Sequence, residues 1–281
     1  MSQKSYNNTP TLYVVPTPIG NLDDMTIRAI NVLKEVDVIF SEDTRVTRNL
    51  LNYFEIKKHL VSLYKFNEQE SSLKMIEYLK DNKNVALVSD RGTPVLSDPG
   101  NLCTKNVIDA GYNVVSLPGA TAAIPALTSS GLNASKFLFY GFLNSKSTTR
   151  KKELEKLKKV EYTIIFYEAP HRIVSMLNDL YSVLGDRDVS ISREISKKYE
   201  EVYRGKLSDV IKEIGEPKGE YVIVVSGNNE VMSYDDISIR KHVELYIEDG
   251  YSEKDAIKLV AKDRNMAKNE VYKEVKLFPG K

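Results

Sequence analysis

Apolar and polar positions along this chain follow two alternating rhythms. Short apolar runs bounded by turn residues fall at Thr11–Val15, Val36–Phe40, His59–Tyr64, Val85–Val88 and Asn113–Leu117. Between them the apolar residues recur three and four apart. One such stretch is capped by Asp23 or Asp24 and runs to about Glu35, with Ile27, Ile30 and Leu33 on one face. The others open at Ser41–Arg45 and run through Phe54, span Glu70–Lys80, and span Asn101–Ala110, where Gly111 ends the last. The first rhythm is that of buried strands and the second that of amphipathic helices, so their alternation predicts a mostly parallel sheet.

A second set follows the loop at Pro118–Ala122. Strands are expected at Lys136–Gly141, Tyr162–Tyr167, Asp188–Ser192, Glu201–Gly205 and Glu220–Ser226. Helices are expected at Ala123–Ser130, Thr148–Lys159, Pro170–Leu184 and Leu207–Ile214. Strict alternation lapses around Lys197-Lys198, which predicts a strand pair and a mixed sheet. Beyond Ser233 only helical periods remain, at Asp236–Glu248, Ser252–Arg264 and Ala267–Lys276. The pattern thus gives an α/β protein. A disordered tail covers 1–10, one α/β lobe 11–118 and a second 119–230. A helical extension covers 231–281 and resembles a helix-turn-helix unit.

Composition narrows this picture. The 281 residues are 42% hydrophobic and 28% charged, as in ordinary globular proteins. With 40 basic against 39 acidic residues no global field announces nucleic acid, so a local patch must carry any such claim. The last segment is balanced too, 10 Lys/Arg against 10 Asp/Glu from Ser233 onward, which fits a packing or dimer-supporting appendage as well as an RNA contact. Cys103 is the only cysteine, which excludes an intramolecular disulfide and fits a reducing compartment. The polar start lacks the apolar centre of a signal peptide, and no apolar run approaches the roughly 18 residues of a membrane span. A cytoplasmic location is the expectation.

Candidate chemistry gathers at strand ends. Val85–Gly100, VALVSDRGTPVLSDPG, is a strand that breaks into a polar Gly/Pro loop. Open α/β sheets bind ligands at such carboxyl ends, although the same residues serve equally as a structural turn. The G-x-G-x-x-G, G-x-x-x-x-G-K-[ST] and G-x-S-x-G fingerprints are missing, and His59, His171 and His242 are too scattered for an obvious metal site. What remains is a cofactor held in a cleft between two lobes. Glu168, His171 and Arg172 cluster where a strand gives way to a helix. They suit ligand recognition, or else Glu168 caps the helix and pairs with Arg172. Arg193 and Glu194 form a second charged cluster that a surface ion pair would also explain. From Lys146 to Lys159 seven Lys/Arg stand against two Asp/Glu, a net charge of +5 on a helix with a narrow Leu154–Leu157 seam. A phosphate backbone would bind such a face by counterion release.

Taken in order, LYVVPTPIGNLDDMTIRA, FSEDTR, SDRGTPVLSDPG, FYEAPHRI, SREISKKYEE and KGEYVIVVSG resemble the ribosomal RNA small subunit methyltransferase I family of the tetrapyrrole-methylase superfamily. The resemblance runs from about Leu12 to Gly227 and continues more weakly beyond. It implies S-adenosylmethionine-dependent methylation of a ribose 2′-hydroxyl, that of the 16S rRNA cytidine conventionally numbered 1402. It also implies a homodimer of two-lobed subunits with the cofactor in the cleft and no metal. Carried onto this sequence, it implies that Pro18, Ile19, Gly20, Asp90, Gly92, Thr93, Ala120 and Thr121 line the cofactor and that Tyr167 packs on the adenine. The hydroxyl is a weak acid, so a base would assist; Glu168, His171 and Glu194 are the candidates. Arg150, Lys151, Lys152, Arg172 and Arg193 are the candidate RNA contacts.

Two positions depart from the family pattern. Arg91 stands where the family usually has a small alanine, facing solvent or phosphate or else obstructing cofactor entry. Ala120 replaces the second proline of the Pro-Gly-Pro hinge. The alternatives are a tetrapyrrole C-methylase of the same superfamily and a non-catalytic RNA-binding assembly factor. The cationic helix argues against the former, and calorimetry with the cofactor would expose the latter.

Overall fold

The computed structural model describes residues 3–5, 8–228 and 237–276. The chain divides into two compact units, Met1–Asn228 and Asn229–Lys281. The first unit opens with β1 (Thr11–Val14), α1 (Ile27–Glu35), β2 (Val38–Ser41), α2 (Thr44–Tyr53), β3 (His59–Ser62), α3 (Glu68–Lys80), β4 (Val85–Val88), α4 (Asn101–Asp109) and β5 (Asn113–Ser116). Its five strands form an all-parallel sheet in the order β3-β2-β4-β1-β5. Strand β4 is central, which is why all four residues of VALV are buried, whereas β3 lies at an edge and is half open. Alternate side chains go to opposite faces. Ile39 and Ala86 meet α1 and α2, while Val38, Phe40 and Leu87 meet α3 and α4, where Cys103 is buried as a free thiol.

The second lobe comprises α5 (Ala123–Ser129), β6 (Phe137–Phe142), α6 (Ser147–Leu157), β7 (Thr163–Glu168), α7 (Ile173–Leu184), β8 (Asp188–Arg193), β9 (Glu201–Lys206), α8 (Leu207–Glu213) and β10 (Tyr221–Val225). Its sheet is mixed, in the order β6-β7-β10-β8-β9. Only β6 and β7 run parallel; β10 is antiparallel to both β7 and β8, and β9 is antiparallel to β8. The same alternation sorts Ile223 and Val225 toward α7 and Val222 and Val224 toward α5.

Three expectations need correction. Asp23 and Asp24 do not cap α1; they sit in a short 3-10 turn, and Thr26 Oγ1 caps the helix by accepting from Ala29 N at 3.1 Å. The helix expected from Pro170 starts at Ile173, because Pro170–Arg172 forms a separate 3-10 turn. Of the tail 1–10, residues 1–2 and 6–7 lie outside the described residues, and Gln3 exchanges two hydrogen bonds with the backbone of Val114 at 2.9 and 3.0 Å.

The second unit holds α9 (Ile239–Glu248), α10 (Glu253–Asp263) and α11 (Lys268–Lys276). The expected start at Asp236 lies outside the described residues. Ser238 and Ser252 cap the first two helices through their side-chain oxygens. Val243, Ile257, Val260 and Val271 form a core of its own. Among the described residues no helix is long and apolar enough to cross a membrane.

Candidate active site

Loops at the carboxyl ends of β1, β2, β4 and β5 face the ends of β7, β8 and β10, and between them lies a cleft of about 570 Å³. The loop after β4 forms much of one wall. Gly92 has a φ of +79° and bridges Thr17 in both directions, each amide donating to the other's carbonyl at 2.9 Å. A Cβ at Gly92 would meet Ile19 Cγ2 at 3.4 Å. Downstream, Val95 and Ser97 are held at φ of +75° and +70°, a left-handed conformation costly for a β-branched residue. Gly100 closes the loop at +120°, where any Cβ would strike Leu87 Cδ2 at 2.7 Å. The strained turn aims Asp98 into the cleft.

Six carboxylates line this space against two cations, Arg91 and Lys197. Their states differ. Glu194 accepts from Lys197 Nζ at 2.8 Å, which holds its carboxyl below the usual range. Glu220 takes both oxygens to Arg91 Nη1 at 2.9 Å. Asp90 Oδ1 accepts from Asp43 N at 2.9 Å. Burial, then the charges of Asp90, Asp98 and Asp43, pushes Glu42 upward. Burial and the Asp90 charge, against a Ser89 hydrogen bond, push Asp98 up to about 6. Burial likewise raises the Tyr167 phenol, whose oxygen accepts from Ala123 N at 3.1 Å. The Arg91–Glu220 pair, a Ser196–Asp24 hydrogen bond and the Lys197 stem lying against Gly20 tie the two lobes together at the cleft's edge.

Of the cofactor-lining expectations, Ile19, Asp90, Gly92, Thr93, Thr121 and Tyr167 line the cleft. Pro18, Gly20 and Ala120 do not line it; the Ala120 carbonyl accepts from Thr93 Oγ1, a lining residue, at 3.0 Å. Arg91 lines the cleft and is paired there with Glu220 at 2.9 Å.

The candidate bases fare unevenly. Glu194 lines the cleft, but in a lysine's grip. Glu168 also lines it, yet its buried carboxylate accepts from Ala169 N at 2.8 Å and from Arg172 at 3.0 Å. His171 is exposed and outside the cleft, because the Pro170 turn rotates it away from the strand end. Among the RNA candidates Arg150 must be corrected. It is 1% exposed and bound to Asp179 at 2.6 Å and to Ser175, with no route to a polynucleotide. Arg172 is held by Glu168 and the Leu143 carbonyl, and Arg193 pairs with Glu201 at 2.6 Å. Lys151 and Lys152 are exposed.

Asp98, with Asp90 one of the two aspartates that the ligand loop after β4 offers in sequence, lines the cleft; sequence reasoning missed Glu42, Phe142 and Glu220. Glu42 was within sight, the polar residue of a loop leaving a buried strand. Phe142 and Glu220 had no local signal.

The profile of the Tetrapyrrole (Corrin/Porphyrin) Methylases matches residues 11–211. The ribosomal RNA small subunit methyltransferase I of Bacillus subtilis (strain 168) is 49% identical over 280 residues, 97% of this chain and 96% of its own length. That of Halalkalibacterium halodurans is 43% identical over 281 residues, 96% and 97% of the two lengths. This chain belongs to the ribosomal RNA small subunit methyltransferase I family. Among solved structures, uroporphyrin-III C-methyltransferase of Thermus thermophilus, complexed with S-adenosylhomocysteine, matches with a TM-score of 0.54. It is 20% identical and covers 76% of this chain and 96% of its own, so the two share a fold.

As a member of the methyltransferase I family the chain takes S-adenosylmethionine as its cofactor. The cleft suits it. The cofactor carries a sulfonium and an ammonium, and the wall is rich in carboxylates. Its volume lies in the range of small-molecule pockets. Tyr167, Ile19 and Val222 offer apolar surface, while Asp90 and Thr93 offer polar groups.

Proposed function

We propose that this chain methylates the ribose 2′-hydroxyl of cytidine 1402 in 16S rRNA, working in the cytoplasm as a homodimer. The observation that carries this reading is 49% identity over nearly the whole length of a relative named for ribosomal RNA small subunit methylation. The exposed lysines of α6 support it, since they offer a phosphate backbone a cationic landing beside a lobe that walls the cleft.

When bound, the cofactor supplies an electrophilic methyl group on a sulfonium. The chain's own contribution is largely placement, which can supply several kcal/mol, roughly 7–11 in well-oriented cases. Asp90, Thr93 and Thr121 would hold the donor, with Tyr167 against its purine. The lobes would exclude water around it.

Mass mapping of ribose methylation on small-subunit RNA, from cells with and without this protein, tests the reading. Loss of one ribose methyl at that cytidine is the expected result. An unchanged map, or a methyl lost from a base, refutes it.

A further inference from the structure

We propose that Arg91 is a substrate-binding residue that seats the phosphodiester next to the target ribose, and that Glu220 holds it in waiting until the RNA arrives; this rests on the ribose reading above. The need for such a seat comes from charge. In RNA the 2′-hydroxyl stands on the carbon beside the one that carries the 3′-phosphate. The hydroxyl therefore brings an anion to the mouth of the cleft when it enters. Six carboxylates line that cleft, and like charges so close oppose entry. Among the described residues only Arg91 and Lys197 line it with positive charge.

The two cations are not equally free to answer. Lys197 Nζ is shared between Glu194 at 2.8 Å and Glu220 at 3.4 Å, and its side chain is 19% exposed. The Arg91 side chain is 53% exposed, and its partner among the described residues is Glu220. Both Glu220 oxygens meet the single Nη1 at 2.9 Å, so the guanidinium keeps its Nε and Nη2 donors for an incoming anion. A guanidinium also offers a phosphate two parallel donors, which an ammonium does not.

The main chain beneath Arg91 is fixed, because the next residue, Gly92, exchanges two hydrogen bonds with the Thr17 backbone at 2.9 Å. An exposed ion pair is worth little, so the side chain leaves Glu220 at small cost. Glu220 is not stranded by that move, since Lys197 Nζ already lies 3.4 Å from it. Arg91 thus passes from carboxylate to phosphate on an anchored loop, and Lys197 keeps the carboxylate.

Wild type, Arg91→Ala, Glu220→Gln and the double variant, each full-length, test this in single-turnover transfer to small-subunit RNA at several salt concentrations. In Arg91→Ala the half-saturating RNA concentration should rise about three- to tenfold, and the slope of affinity against log salt should shrink by ~0.7–0.9, the share of one phosphate contact. Calorimetry should put its S-adenosylmethionine affinity within about threefold of wild type. Glu220→Gln releases the arginine, so the half-saturating concentration should fall about two- to fivefold, and that gain should vanish in the double variant. The proposal is overturned if Arg91→Ala changes neither RNA affinity nor salt slope. It is overturned if Glu220→Gln weakens RNA binding as Arg91→Ala does, which would make the pair a clasp between the lobes. It is also overturned if the Glu220→Gln gain persists in the double variant, where the lost negative charge alone would explain it. Loss of cofactor affinity in Arg91→Ala would overturn it too, by giving the arginine to the cofactor's own carboxylate. A wild-type product carrying its methyl off the ribose would defeat the ribose reading, a result separate from each of these.

Discussion

At Gly92 one residue both bridges Thr17 and forms the cavity wall, with a backbone that L side chains rarely adopt. Gly92→Ala introduces a methyl at ordinary contact distance from Ile19, so the cost is mainly conformational, about 1–2 kcal/mol. The variant should still unfold cooperatively, while calorimetry shows S-adenosylmethionine binding weakened about tenfold, equivalent to roughly 1.4 kcal/mol. An unaltered dissociation constant would remove Gly92 from the wall. Its place in a loop leaving a buried strand was legible in sequence, where a structural turn explained the glycine equally well. The titration state of Asp98 was not. Desolvation is a property of neighbours brought from β2, β4 and β7, and no local pattern encodes it. His171 misled for the opposite reason: adjacency to Glu168 in sequence became opposite orientation once Pro170 set a tight turn.

Helix α6 shows the same limit at the level of an element. The charge count was right, but its distribution over faces was not. Arg150 shares the inward stripe with Leu154 and Leu157, and it is tolerated there because Asp179 of α7 and Ser175 meet it. Arg150→Ala would leave the buried Asp179 carboxylate to the Ser147 hydroxyl at 3.0 Å and to Lys151 at 3.4 Å, and should lower unfolding free energy in urea by about 3 kcal/mol. The double change Lys152→Glu and Lys156→Glu, on the exposed face, should leave stability nearly unaltered, weaken RNA binding and reduce its slope against log salt. Equal RNA affinity would return that face to plain solvation.

The three-helix unit carries a buried ionisable group of its own. His242 is 2% exposed, and its Nδ1 accepts from Arg264 Nε at 3.3 Å. Burial first, then the Arg264 charge, lowers its affinity for a proton below the ordinary 6.5. The unfolded chain therefore binds that proton more readily than the folded one. Stability is fully present above 6.5 and declines as pH falls below it. Hydrogen exchange in residues 239–276, corrected for intrinsic rates, should show protection lost on that descent and retained in His242→Gln.

For the whole molecule, the parallel first sheet and the mixed second one followed from how strands and helices alternate along the chain. Which strands lie side by side did not, because β4 pairs with β1 and β10 with β7 across long stretches of sequence. Every residue lining the cleft falls within the first compact unit. A protein ending at Asn228 should accordingly bind S-adenosylmethionine within about threefold of the full chain, near 0.7 kcal/mol, as calorimetry can establish. Strand β10 has a further consequence during synthesis. Among the described residues it is the last strand made, yet it sits at the middle of its sheet, between a parallel pair and a hairpin that are not neighbours in the strand order. Until Tyr221–Val225 clears the exit tunnel, the nascent lobe consists of two half-sheets with bare inner edges. That interval is when a chaperone has most to shield and when a stalled ribosome would leave the chain most prone to aggregate.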